Sequence, residues 1–271
     1  MSMHSPIVMI FAATDPTGGA GLQADVLTVA SLGCHPVSVV TAVTVQDTHG
    51  VHGVQPIETR LLVDQARALL AEMPVAAFKL GVLGSAENAA AIAALLAEQP
   101  RTPLVLDPVL ASGRGDPLAS EAAINALREH LFPRTTVLTP NSIEARRLAG
   151  TAPDADLDEC AARLMARGVA YVLITGAHEA GPEVTNTLYS AAGARHTHKW
   201  QRLPGSYHGS GCTLASAIAT ELARGLPVPD AVRAAQEYTW RTLQAGFQPA
   251  KGQLIPDRFY WARDRKRAPI A

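Results

Sequence analysis

His208-Gly209-Ser210-Gly211-Cys212-Thr213 runs directly into Leu214-Ala215-Ser216-Ala217-Ile218-Ala219-Thr220-Glu221-Leu222. A glycine-spaced turn therefore opens a stretch of good helix formers. The first amides of such a helix have no partner within it, and the helix dipole adds positive potential there. That combination suits an anion, above all a phosphate or a transferring phosphoryl group. The turn would supply the cradle. Cys212 lies in the same turn, where the helix start is expected to lower its thiol pKa and make it the reactive thiol of the chain. The same six residues also fit a plain Gly-rich loop that caps a buried helix with an inert core cysteine.

Working outward, strand and helix patterns alternate through most of the 271 residues. Ile7–Ala12 is a compact apolar run, followed by a Gly-rich turn and a helical stretch from Gly21 to Leu32. Pro36–Val45 is β-branched and reads as one strand buried on both faces. Helices are predicted over Arg60–Met73, Ala86–Glu98, Leu118–Leu131, Asn141–Leu148 and Leu157–Arg167. Strands are predicted at Ala76–Leu80, Leu104–Leu106, Thr136–Leu138 and Tyr171–Ile174. Then the rhythm changes. Val184–Tyr189 and Ala194–Trp200 form a hairpin across Ala191-Ala192-Gly193, and helices Cys212–Arg224 and Pro229–Gln244 follow. Repeated β-α units imply a three-layer α/β/α domain over residues 1–271, with a mainly parallel central sheet and the hairpin at one edge. Ligands of such sheets bind outside the carboxyl ends of the strands.

Composition narrows the function classes. The chain is 48% hydrophobic and 17% charged, with a net charge of -1. Neither nucleic acid nor a membrane surface is implied as a partner. The basic cluster Arg263-Asp264-Arg265-Lys266-Arg267 reads as a solvated tail. Cys34, Cys160 and Cys212 make no disulfide framework or zinc spacing, which points to reduced thiols and a cytoplasmic protein. The opening Met1–Pro6 has no basic segment, so Ile7–Ala13 is expected to be a first strand rather than a signal peptide. His196 and His198 would share one strand face, but with no third ligand nearby they read as exposed strand residues. His49 and His52 fall in a Gly-flanked loop.

Four strand ends carry chemistry. Thr14-Asp15-Pro16-Thr17-Gly18-Gly19-Ala20-Gly21-Leu22-Gln23-Ala24-Asp25 contains Gly19-Ala20-Gly21-Leu22-Gln23-Ala24, a formal G-x-G-x-x-G/A match for a dinucleotide turn. No acidic residue sits cleanly at the end of the second strand, about 20 residues on, to complete that fingerprint. No Gly-Lys-Ser/Thr follows either, which excludes a Walker A loop. In Thr44-Val45-Gln46-Asp47-Thr48-His49-Gly50, the Gln46 amide can both donate to and accept from the edge of a heteroaromatic ring. Asp107-Pro108-Val109 places a carboxylate where a strand stops. Thr139-Pro140-Asn141-Ser142-Ile143-Glu144 offers Asn141 as a helix N-cap with Glu144 on the first turn. Two oxygen-rich strand ends can hold Mg²⁺ largely through waters, as phosphoryl-transfer sites do. With the anion turn they favour a nucleotide-dependent kinase.

These motifs, in this order, resemble the hydroxymethylpyrimidine/phosphomethylpyrimidine kinase family of thiamine biosynthesis, within the ribokinase superfamily. The likeness runs from about Ile7 to about Gln244. It implies a ribokinase-like fold and ATP- and Mg²⁺-dependent phosphorylation of 4-amino-5-hydroxymethyl-2-methylpyrimidine, then of its monophosphate. By the same resemblance, Asp25 and Gln46, with Gly18, Gly19 and Val109, would contact the pyrimidine. Gly209, Ser210 and Gly211 would form the anion hole, and Cys212 stands where the superfamily's sugar kinases carry an aspartate base. Asn141, Thr175 and Gly176 would face the nucleotide, while Asp107 and Glu144 would organise metal and phosphates. A homodimer is also implied.

The chain departs from the family pattern at Thr175-Gly176-Ala177-His178, where members read Lys-Gly-Gly-His and the lysine is expected to meet the phosphates. A lysine is also usual at Leu27, and Arg114 lies one place beyond another. The rival readings are a pyridoxal-type kinase on the same scaffold, a pyrimidine-binding relative without catalysis, and a dinucleotide enzyme.

Overall fold

A computed structural model describes residues 5–112, 115, 116 and 118–263. In strand β1 (Ile7–Ala12), Met9 and Phe11 enter one core while Val8, Ile10 and Ala12 enter another. This two-residue alternation between two apolar faces is what a central strand with helices on both sides requires. Its neighbours are β2 (His35–Val40) and β5 (Val75–Leu80), both parallel to it. The parallel sheet continues through β6 (Leu104–Leu106), β7 (Val137–Leu138) and β8 (Tyr171–Ile174). The antiparallel hairpin β9 (Glu183–Ser190) and β10 (Arg195–Gln201) closes that edge. The order is β10-β9-β8-β7-β6-β5-β1-β2. The chain goes from β1 outward to β2, then returns to β5 on the other side of β1. That reversal is a topological switch point, and the crevice beside it is where such sheets bind ligands.

Helices α2 (Thr59–Leu70), α3 (Ala86–Ala97), α4 (Glu121–Ala126), α5 (Ser142–Ala149) and α6 (Leu157–Met165) belong to one face. Helices α1 (Gly21–Ser31), α7 (Ser210–Ala223) and α8 (Val228–Gln244) cover the other. Phe11 and Phe78 of adjacent strands are fully buried with ring centroids 6.5 Å apart. A side chain of that size contributes roughly 1.5–3 kcal/mol by leaving water. The ribokinase-like three-layer fold and edge hairpin expected from the sequence are thus observed.

Two expectations are corrected. The strand read as Pro36–Val45 breaks at Thr41, whose amide bonds Ala12 O and whose hydroxyl bonds Val82 O. Beyond it, β3 (Ala42–Gln46) leaves the sheet and pairs antiparallel with β4 (Val51–Pro56), a strand the apolar pattern did not reveal. Val43 and Val45 are consequently exposed. The helix expected at Leu118 starts instead at Glu121, where the Ser120 hydroxyl accepts from Ala123 N. A π-helical turn, Leu127–Leu131, completes it. The chain ends its described course in a strap that returns to the strand ends, followed by the short helix α9 (Tyr260–Arg263).

Candidate active site

Helix α7 starts as its sequence demands. Gly209 is the N-cap at φ 82°, and no side chain caps this end. A Cβ at Gly209 would lie 2.0 Å from Gly19 O, so only glycine permits the turn to press on the Gly18–Gly19 turn. The first amide engaged in the helix is Thr213 N, to Gly209 O. Among the described residues, none accepts from the amides of Ser210, Gly211 or Cys212. These donors face a cavity of about 240 Å³. Its walls come from the ends of β1, β5, β6, β7 and β8, with Gln46 and Val51 of the β3–β4 ribbon at the mouth. A second cavity of about 340 Å³ lies alongside. It shares Ala177, His178, Tyr207 and Ser210 with the first and carries the stacked Trp200 and Trp240 on its far side.

The thiol of Cys212 does not behave as the helix start alone implied. Burial pushes it up to about 12; Lys79 opposes this, and the carboxylates of Asp25 and Asp107 reinforce it. Desolvation together with two nearby negative groups outweighs the dipole. Cys212 is therefore a neutral thiol at ordinary pH.

Asp107 stands close enough to Glu144 to raise it. Asp107 is pushed up to about 6, first by burial, with Lys79 opposing and Asp25 adding to it. Glu144 is pushed up to about 8 by burial and then by Asp107. The expected cap is present and reciprocal: Glu144 N donates to Asn141 Oδ1 at 2.9 Å, and Asn141 N to Glu144 Oε2 at 3.0 Å. Glu144 Oε1 also accepts from Leu110 N at 3.2 Å. Asp107 Oδ2, by contrast, is buried with no partner. An orphaned carboxylate oxygen beside a second carboxylate fits a hard cation. No group of three or more His, Cys, Asp or Glu among the described residues forms a protein cage. A cation here would take its other ligands from water and phosphate, which suits Mg²⁺.

On the opposite wall the Asp15 carboxylate is saturated. Oδ1 accepts from Thr17 N and Thr17 Oγ1, and Oδ2 from Ala20 N at 2.7 Å and His208 Nε2 at 2.9 Å. Burial alone would raise Asp15, but His208 and the Ala20 and Thr17 amides hold it below its ordinary value. The same His208 nitrogen lies 2.7 Å from the Gln46 amide. Because Nε2 gives its hydrogen to Asp15, it steadies Gln46 at the cavity mouth only with the amide oxygen turned toward the ring to share that hydrogen.

Asp25 stands elsewhere than expected. It is fully buried, paired with Lys79 Nζ at 2.7 Å and bonded by Ser216 Oγ at 2.8 Å, beneath the cavity rather than on its wall. Gly18 and Gly19 also lie behind the wall, their carbonyls turned toward Arg258. Gly176 is packed between strands, since a Cβ there would meet Thr185 O at 2.3 Å. Gln46, Val109, Asp107, Asn141, Glu144, Thr175, Gly209, Ser210, Gly211 and Cys212 do line the cavity together. Arg114 lies outside the described residues, as does most of the basic tail.

The profile of the family described as phosphomethylpyrimidine kinase matches residues 15–257. The chain belongs to this family. A hydroxymethylpyrimidine/phosphomethylpyrimidine kinase of Streptomyces coelicolor is 42% identical over 260 residues, covering 95% of each chain. One from Mycobacterium tuberculosis is 40% identical over 254 residues, covering 92% of each. Among solved structures, Bacillus subtilis pyridoxal kinase in an ADP complex superposes with a TM-score of 0.87 at 26% identity, over 96% of this chain and 99% of that one. Phosphomethylpyrimidine kinase from Clostridium difficile gives 0.75 at 31% identity, over 87% and 97%.

As a phosphomethylpyrimidine kinase family member, the chain holds site groups that sequence reasoning passed over. Lys79 is a lysine inside the apolar strand Val75–Leu80, fully buried, and that mismatch was a readable signal. Asp15 and His208 are polar residues in the turns after β1 and before α7, yet only the fold shows that they meet. Arg258 had no local signal at all.

Proposed function

We propose that this chain transfers the γ-phosphate of ATP to 4-amino-5-hydroxymethyl-2-methylpyrimidine and then to its monophosphate, with Mg²⁺, as a step of thiamine biosynthesis. The observation that carries the reading is the set of free amides at Ser210, Gly211 and Cys212, placed where the two cavities meet. The first cavity, with Gln46 at its mouth, suits the pyrimidine. The second, with its paired indoles, suits the nucleotide base. Between them the anion turn stabilises charge on the transferring group. Asp107 and Glu144 are the groups that would hold Mg²⁺, which neutralises phosphate charge. Phosphoryl transfer through a loose transition state needs little help from a strong base. A neutral Cys212 thiol can therefore orient the substrate hydroxyl without ionising. We read the protein as a cytoplasmic homodimer, with the exposed Val43 and Val45 of the β3–β4 ribbon available to a second copy.

A coupled ADP-release assay with the pyrimidine alcohol, its monophosphate and pyridoxal tests the proposal. Turnover of both pyrimidines supports it, and absence of turnover with either sinks it. Pyridoxal is the second reading, favoured by the 0.87 TM-score to a pyridoxal kinase. Gln46→Leu is expected to raise the pyrimidine KM with little change in the ATP KM, by roughly 1–3 kcal/mol of lost hydrogen bonding. Because Asp107 and Glu144 sit at about 6 and about 8, proton release favours the cation. Thermal stabilisation by Mg²⁺ should then be larger at alkaline than at mildly acidic pH.

A further inference from the structure

Arg258 lines neither cavity and is only 3% exposed, yet its guanidinium reaches both turns that frame the site. Nε donates to Thr213 Oγ1 at 3.1 Å, on the first turn of α7. Nη2 donates to Gly19 O at 2.6 Å and Nη1 to Gly18 O at 3.4 Å, on the turn after β1. Burying a guanidinium is costly unless its donors are met. Here they are met by two backbone carbonyls and a hydroxyl rather than by a carboxylate, although Asp15 and Asp25 are close enough to influence its charge. A planar fork of five donors can span two loops at once, which no shorter donor side chain can do.

The bond to Thr213 has a direction. Its oxygen accepts from Arg258, so its own hydrogen goes to Gly209 O at 2.8 Å. Arg258 thus holds Gly209 through Thr213, and holds Gly19 directly. These are the two glycines whose backbones press together, as the 2.0 Å approach of a Cβ at Gly209 to Gly19 O shows. Arg258 is itself anchored, its carbonyl accepting from Tyr238 Oη at 2.9 Å and from the Ser31 hydroxyl. The strap before it is stitched to the same region: Leu254 N to Ser206 O, His208 N to Leu254 O, and Gln253 N to Thr48 O.

We infer that Arg258 is a positioning residue that locks the pyrimidine-side turn to the phosphate-side turn and so sets the distance between attacking hydroxyl and γ-phosphate. The inference rests on the kinase reading above. A fixed near-attack geometry is what lowers the barrier when chemistry needs no strong base.

Arg258→Met keeps much of the stem and removes the fork. The expected result is a fall in kcat of roughly tenfold or more, about 1.4 kcal/mol of barrier, with the ATP KM within a factor of about three. Methylguanidinium added to the variant should restore part of kcat. Thr213→Val removes the Arg258 acceptor with less disturbance and should show the same split if Arg258→Met folds poorly. The double variant should lose little more than the worse single one. Three kinetic results would overturn the inference. One is a kcat within twofold of wild type. Another is a loss of kcat that tracks the folded fraction and resists rescue. The third is an ATP KM that rises as much as kcat falls, making Arg258 a nucleotide ligand. Hydrogen exchange gives a readout independent of turnover: the hydrogen-bonded amides of Gly18, Gly19, Ala20 and Thr213 should exchange faster in Arg258→Met, and unchanged exchange would reject the lock. If wild type turns over no pyrimidine, the kinase reading fails while exchange still judges Arg258.

Discussion

Two glycine turns start two helices at the same end of the sheet, and they treat their amides in opposite ways. At α1 the chain supplies the anion: Asp15 Oδ2 takes Ala20 N, Ala13 O takes Leu22 N, and Gly21 N faces the sulfur of Cys212. At α7 nothing in the described chain takes the amides of Ser210, Gly211 and Cys212. A helix start is an anion site only while its donors stay unspent. The Gly19–Ala24 match to a dinucleotide turn is weakened for a physical reason, since Asp15, Cys212 and Ala13 O already engage the Ala20, Gly21 and Leu22 amides. The His208–Cys212 turn keeps its donors for a ligand.

The largest expected effect comes from breaking the free turn. Gly209→Ala puts a Cβ 2.0 Å from Gly19 O, at a φ of 82°. The anion turn must shift, and kcat/KM should fall by about a thousandfold, the upper range for losing oriented transition-state donors. Thermal melting shows whether the fold survives. Activity within about tenfold of wild type would mean the turn does not need this geometry.

Next comes the occupied turn. Asp15→Asn weakens the charge-assisted bonds to Ala20 N and His208, and with them the support of Gln46. A loss of roughly 30-fold in pyrimidine kcat/KM is expected, about 2 kcal/mol for charged hydrogen bonds. The pH dependence has a definite sign. Asp15 is held below its unfolded value of about 3.9. Its stabilising contribution is present above that pH and disappears as pH falls through the depressed folded value. The gap in Tm between wild type and Asp15→Asn should therefore be widest near neutrality and close in acid. A gap independent of pH would count against an ionised Asp15.

The same contrast explains what the sequence could disclose. The parallel strands are legible because β1, β6 and β8 are continuous apolar runs ending at polar turns, and β5 is one interrupted only by Lys79. Motif residues such as Asp107, Asn141 and Glu144 were legible because a strand end and a cap each leave a local signature. The β3–β4 ribbon was not, because Val43 and Val45 have the composition of a buried strand and only the break at Thr41 turns them outward. Asp25 was misplaced for a related reason. Its partner Lys79 is 54 residues away, so spacing could not show that its charge was already satisfied. The helix start alone suggests a reactive Cys212, whereas burial first, and then charged side chains from other elements, decide its ionisation.

A smaller effect should follow from adding charge across the cavity from the free turn. Thr175 follows β8 at the cavity wall and offers a hydroxyl without charge. Thr175→Lys brings a point charge within reach of bound phosphates. A gain of about tenfold in kcat/KM is expected, about 1.4 kcal/mol of barrier. Arg114→Ala assayed alongside tells whether that arginine already fills the role. A severe loss there, with no gain at Thr175→Lys, would show a rewired site rather than a weakened one.

The smallest effect is expected at Cys212 itself. If the thiol acted as general base, Cys212→Ala would cost about a hundredfold or more in kcat. The thiol is instead held near 12 by burial and by Asp25 and Asp107. A group that stays protonated can orient the hydroxyl but cannot take its proton at neutral pH. Cys212→Ala should then lower kcat by less than about tenfold, with the fold spared. Iodoacetamide supplies the independent measure. Cys34 and Cys160 are buried and Cys212 is only partly so, so Cys212 should still label first. Its rate should be slow at neutral pH and climb steeply in alkali, with ATP and substrate together protecting it. Rapid labelling at neutral pH, joined to a hundredfold loss in Cys212→Ala, would restore the thiolate base and show that the helix start wins over the carboxylates beneath it.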